Sequence, residues 1–399
     1  MSSPPAYSSD PSPDERRLGI AVQTGDVAAG SFGTLVLRGS GIAIALKNQQ
    51  ENARRAIYGR NASVAGEVSL STTQGITSVQ VNLEGKVTFV FGNTLIPDLK
   101  LLHLSSTLWD AGTEKGGCPT VLPFGFVLPE NFTDPDSGSM YPLPPSYDPL
   151  GDSVSLQDMH VRCVYRLTIM LVRSRWMPNK SMTVDMEYAP RTVPPRAIMD
   201  APFPFFDTIK SAPEEWYQMG AVLPTKPNAT AGQISCDFFI PSVRVFTRRD
   251  MVPFFLQLRG TSSSMLALYS PGNKSEEGLA RRLLRMAHTT TSAPQISVSI
   301  KRQVVLNTDG TEVARSYTIG SGSMRPVPPG YVPPGSESDL ITMDYEGEIQ
   351  FASHVTVGGF DVGKVRISDF IILSIKPSVG AADQFSSVTR TEPIRVVTG

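Results

Sequence analysis

The sequence predicts an all-β protein of two tandem antiparallel β-sandwiches, and three observations carry that expectation. Apolar and polar residues alternate with a period of two in one segment after another. The 399 residues include 33 Gly and 33 Pro, which supply turns and interrupt helices. Helical periodicity is nearly absent, and the length suits two domains, because single cores rarely grow beyond about 250–300 residues.

The first well-patterned strand runs from Ile76, with Val79, Val81 and Leu83 on one face and Gln80, Asn82 and Glu84 on the other. Gly85 is expected to close it. A longer run, Val161 to Arg173, places Tyr165, Leu167, Ile169 and Leu171 on one face. Further on, Ile234, Cys236, Phe238 and Ile240 alternate with polar neighbours, as do Phe254, Leu256 and Leu258. Ile296 to Leu306 predicts another strand, with Ile296, Val298 and Ile300 on one face, and Arg366 to Lys376 is expected to be the last regular element. One helix is predicted, Ser275 to Ala287. Glu276 and Glu277 stand at its start, and Arg281, Arg282 and Arg285 lie toward its end, the polarity that a helix dipole favours.

Prolines 190, 194, 195, 202 and 204 remove amide donors from any ladder and mark a linker. The expected organisation is a flexible segment 1–16, a β-sandwich 17–189, a Pro-rich linker 190–204, a second β-sandwich 205–378 with an irregular loop 320–339, and a tail 379–399. The stretch from Pro129 to Asp152 also reads as irregular.

Composition narrows the function classes. A formal charge of -1 and a pI near 6.5 provide no overall basic footprint, so nucleic acid is not an expected partner. The first residues, Met1 to Arg17, lack the apolar core of a signal peptide, and nowhere do about 18 apolar residues run together, so a soluble, cytoplasmic chain is expected. Cys118, Cys163 and Cys236 are odd in number and widely separated, which suits reduced thiols better than a disulfide framework. The histidines, His103, His160, His288 and His354, fall into neither a metal-ligand spacing nor a triad pattern. Val357-Gly358-Gly359-Phe360 lacks the lysine of a phosphate loop and reads as a turn. Neither catalytic residues, nor a cofactor, nor a metal site is expected.

Several ordered pieces carry a family resemblance. Leu122-Pro123-Phe124-Gly125-Phe126-Val127-Leu128-Pro129, then Leu143-Pro144-Pro145-Ser146-Tyr147, then the strand near Val161 resemble the closing half of an arrestin N-terminal domain. Arg249 to Leu258 and Ser297 to Leu306 are similar to successive strands of the arrestin C-terminal domain. Val365 to Ile375 and Pro393 to Val397 resemble the end of fungal α-arrestin-like proteins. The resemblance covers roughly Leu18 to Val397. It implies immunoglobulin-like arrestin domains and an adaptor that links a membrane transporter or receptor to a WW-domain ubiquitin ligase of the HECT type, promoting ubiquitination and endocytic trafficking. The alternative is a ligase-independent scaffold or sorting protein of the same fold.

Three Pro-Pro-x-Tyr motifs bear on that choice: Pro4-Pro5-Ala6-Tyr7, Pro144-Pro145-Ser146-Tyr147 and Pro328-Pro329-Gly330-Tyr331. Adjacent prolines pre-set a polyproline II turn, so an aromatic groove can stack on them and take the Tyr ring at small ordering cost. Pro4, Pro5 and Tyr7 stand in a Ser-rich terminus, and Pro328, Pro329 and Tyr331 in a Gly/Pro/Ser loop, so these two are the expected WW ligands. Pro144, Pro145 and Tyr147 coincide with a turn of the fold and are expected to be structural. Arg281, Arg282 and Arg285 are a candidate contact to anionic lipid. They are fewer than the roughly four to eight basic residues of a polybasic site, so a helix capping a sheet is the preferred reading.

Overall fold

The computed structural model describes residues 32–50, 53–92, 94–149, 158–200, 205–269, 293–308, 310–328 and 339–399. Among the described residues there are twenty strands and two α-helices, so the fold is all-β. The first strands are β1 (Phe32–Gly39), β2 (Ile42–Gln50), β3 (Ala56–Tyr58), β4 (Ser63–Leu70), β5 (Ile76–Phe91), β6 (Thr94–Asp110) and β7 (Val121–Val127). There follow β8 (Asn131–Thr133), β9 (Met140–Pro142), β10 (Met159–Arg173), β11 (Lys180–Tyr188), α1 (Phe205–Ser211), β12 (Trp216–Leu223), β13 (Ile234–Pro241) and β14 (Val245–Thr247). The last elements are β15 (Met251–Thr261), α2 (Ser262–Tyr269), β16 (Gln295–Thr308), β17 (Thr311–Val327), β18 (Leu340–Phe351), β19 (Val365–Lys376) and β20 (Val388–Val397).

The chain divides into two compact units, one of Met1–Val81, Ser106–Pro129 and Ile169–Met182, the other of Asn82–Ser105, Glu130–Thr168 and Thr183–Gly399. In the first, β1, β2, β4 and β7 form an antiparallel sheet in that order. Ile42, Ile44 and Leu46 of β2 face Leu70, Val68 and Gly66 of β4, and the buried row continues through Leu122 and Phe124 of β7. A period of two in sequence thus becomes one buried face. A five-stranded sheet follows the order β3-β11-β10-β5-β6.

The second unit holds a nine-stranded sheet of order β12-β13-β15-β18-β17-β16-β19-β20-β14, antiparallel except for the β14–β20 pair. Met219 on β12, Phe246 on β14 and Ile394 on β20 share one hydrophobic cluster with Phe254 on β15 and Ile300 on β16. Residues from opposite ends of the strand order therefore meet, and the sheet curls around its core. The outer side of β15 is covered by α1, where Phe206 stacks on Phe255 at 5.3 Å between centroids. At the end of β15 the Thr261 hydroxyl accepts the Ser264 amide, an N-terminal cap for α2. Met265, Leu268 and Tyr269 then fall on the buried side of that short helix.

Three expectations need correction. Gly85 does not close its strand, because β5 runs on to Phe91. The position demands glycine for packing: a Cβ there would lie 2.7 Å from the Tyr165 ring. The stretch 320–339 is not irregular from its start, since β17 continues to Val327 and pairs with β18 from Gly320↔Phe351 to Val327↔Asp344. Its glycines look like loop punctuation, yet Gly322 sits where a Cβ would come 3.2 Å from the buried Phe254 ring. Nor is Arg366 to Lys376 the last regular element, because β20 follows and pairs along β19, with Pro393 opposite Phe370. Residues 189–200, which follow β11, contain no strand, and Thr192 is held there by the Thr398 hydroxyl and the Gly399 amide. The predicted helix 275–287 lies outside the described residues.

Candidate functional site

Of the three Pro-Pro-x-Tyr motifs, the described residues include the whole of Pro144–Tyr147, together with Pro328 at the start of another. Pro4, Pro5, Tyr7, Pro329 and Tyr331 lie outside them, as do Arg281, Arg282 and Arg285. The Pro144–Tyr147 segment is bound along its length. The Tyr165 hydroxyl donates to the Pro144 carbonyl at 2.5 Å. Ser146 exchanges two hydrogen bonds with Tyr188, its amide donating to the Tyr188 carbonyl and its hydroxyl accepting the Tyr188 amide. Tyr147 and Cys163 exchange both backbone hydrogen bonds, at 3.0 and 2.8 Å. The Tyr147 side chain is buried, edge-on to the Phe360 ring, with its hydroxyl 2.9 Å from that of Tyr317. Burial, reinforced by Tyr317, pushes the Tyr147 hydroxyl far above the ordinary phenol range, so it stays protonated.

Beside this tyrosine lies a charged pair that the alternation hides. The inward row of β16 reads Val298, Ile300, Arg302, Val304, Leu306, and that of β19 reads Ile367, Asp369, Ile371, Leu373. Arg302 and Asp369 stand directly opposite each other in the ladder, each 2% exposed. The guanidinium donates to both carboxylate oxygens, at 2.7 and 3.0 Å, and to the Val357 carbonyl at 2.9 Å. Burial works against the Arg302 charge, but the adjacent carboxylate outweighs it and leaves the guanidinium more basic than usual. The Val357–Phe360 stretch, read from sequence as a plain turn, supplies both that carbonyl and the ring against Tyr147. A cavity of about 30 Å³, room for a single water molecule, is lined by Tyr147, Arg302, Tyr317 and His354.

The signal for this pair was present in the sequence: one charged residue in each of two apolar rows. What the sequence could not supply is the register that sets residues 67 apart face to face. Chemically, a neutralised pair with every mapped bond directed into the fold fixes geometry rather than presenting a reactive group. The thiols have the same character. Burial pushes both Cys163 and Cys236 up to about 12, so they remain protonated and weakly nucleophilic at neutral pH. All three cysteines are free. His103 sits 3.2 Å from Glu84 at the surface and His160 3.8 Å from Asp148. Among the described residues there is no group of three or more His, Cys, Asp or Glu placed to hold a metal, and no helix long and apolar enough to cross a membrane. No family model and no curated protein matches the chain.

Proposed function

We propose that the chain is an arrestin-like adaptor of two tandem β-sandwiches that bridges a membrane transporter or receptor to a WW-domain ubiquitin ligase. The observation that carries the reading is where its tyrosine motifs fall relative to the strands. Pro328, the one described residue of its motif, is exposed and follows Val327, the last residue of β17 to pair with β18. Tyr147, in contrast, is committed to the fold through Cys163, Phe360 and Tyr317. Together with Tyr7 in the N-terminal segment, Tyr331 leaves two motifs for WW domains. Two weak contacts on one chain raise each other's effective concentration.

The tandem-sandwich part of the proposal is supported by the paired buried rows of β2, β4 and β7 and by the nine-stranded sheet closing on its own core. The bridging function is tested by WW binding to Tyr7→Ala and Tyr331→Ala variants. Loss of binding in the double variant is expected, with Tyr147→Phe unaffected. Undiminished binding in the double variant overturns the assignment to Tyr7 and Tyr331, and absence of WW binding to the wild type leaves the ligase-independent scaffold as the surviving reading.

A further inference from the structure

A groove of about 320 Å³ lies within the second unit, at the lower end of the range for ligand pockets, lined by residues 194–200, Phe205 and the start of β15. Its apolar lining includes Ile198, Met199 and Met251, the last of which is 53% exposed although it opens a strand. Three carboxylates share the lining: Asp200, Asp250 and Glu348. Asp250 is fixed by Thr247, whose amide and hydroxyl each donate to it at 2.7 Å. The Asp200 and Glu348 carboxylates have no hydrogen-bond or ion-pair partner among the described residues, and Glu348 is half-buried beside Pro253. Arg248 and Arg249 precede Asp250 in sequence but do not line the groove, and no basic side chain does.

We infer that this groove docks a short cationic peptide segment, with an aliphatic side chain against Ile198 and Met251 and a Lys or Arg facing Asp200 and Glu348. Two carboxylates of one sign, without partners among the described residues, focus in a concave, partly apolar site a negative potential that an ammonium or guanidinium relieves. Lys and Arg suit it further because their methylene stems pack on apolar surface while the charge reaches the rim. Methionine supplies an adaptable floor that accepts more than one aliphatic shape. Resting on the adaptor reading, the inference also names a class of cargo: cytoplasmic segments next to membrane spans carry an excess of Lys and Arg.

The test is anisotropy of a short labelled peptide of alternating Lys and Leu, titrated with the full chain. Saturable binding is expected, about tenfold weaker in Asp200→Asn/Glu348→Gln, because a partly exposed and a half-buried contact together are worth roughly that factor. Met251→Ser is expected to weaken it as well, while Glu84→Gln/Asp185→Asn, which removes the same charge elsewhere, leaves it unchanged. Absence of saturable binding, equal loss in the groove and control variants, or equal affinity for spermine overturns the inference. WW binding measured on the same groove variants keeps the two readings apart: a chain that binds the peptide but no WW domain retains the groove and loses the ligase.

Discussion

Arg302 and Asp369 face each other across β16 and β19 as a bidentate ion pair in the middle of two otherwise aliphatic rows. Removing two charges from water costs several kcal/mol per ion, and the pair recovers this only while both members and their hydrogen bonds are present. It ties together three segments, since the same guanidinium holds the Val357 carbonyl whose neighbour Phe360 meets Tyr147.

Breaking the pair from one side is therefore the severe change. Arg302→Met is expected to lower unfolding stability by about 3–5 kcal/mol, because it strands a buried carboxylate. Arg302→Met/Asp369→Leu is expected to lie near wild type. Urea unfolding of the two single variants and the double supplies the cycle, and additive losses contradict the account.

Gly85→Ala places a methyl group against Tyr165, 2.7 Å from the ring in the present packing. Overpacking at such a site costs about 1–3 kcal/mol. A fall in the thermal midpoint is expected, whereas Gly125→Ala, where a Cβ meets nothing within 4 Å, leaves it nearly unchanged.

The buried thiols tie stability to alkaline pH. Cys163 and Cys236 ionise near about 12 when folded and near about 8.5 when unfolded, so the unfolded state loses protons first. Their contribution is fully present below about pH 8.5 and is lost as pH rises toward about 12. Cys236→Ala is expected to flatten the alkaline limb of a stability curve relative to its own neutral-pH value. An unchanged slope speaks against the burial argument.

At the acid end, the hydrogen bonds from Arg315 hold the Asp158 carboxyl below the usual range, at 2.8 and 2.6 Å. Stabilisation from this pair is present above the unfolded carboxylate value of about 3.9 and is lost as pH falls through the lower folded value. Carboxyl-carbon NMR is expected to show the Asp158 midpoint rising toward the ordinary value in Arg315→Gln.

Much of the strand content was legible because alternation reports burial directly. In Ile234 to Ile240, Phe254 to Leu258 and Val161 to Leu171 the alternating apolar residues are buried. Where the reading stopped short, composition concealed the pairing. In β17 the run Gly320-Ser321-Gly322-Ser323 has the chemistry of a loop but makes room for Phe254. Strand β20 carries Pro393 within it, and α2 opens on three serines behind the Thr261 cap. The Arg302–Asp369 site was half legible. Each charge stands out against its row, but partnership across 67 residues is a property of register.

Calorimetric titration of a tandem WW domain from a HECT-type ligase into the full chain tests the adaptor reading most directly. Wild type is expected to bind, each of Tyr7→Ala and Tyr331→Ala to bind more weakly, and the double variant not at all, while Tyr147→Phe matches wild type. Absence of binding to wild type, or binding that survives the double variant, contradicts it.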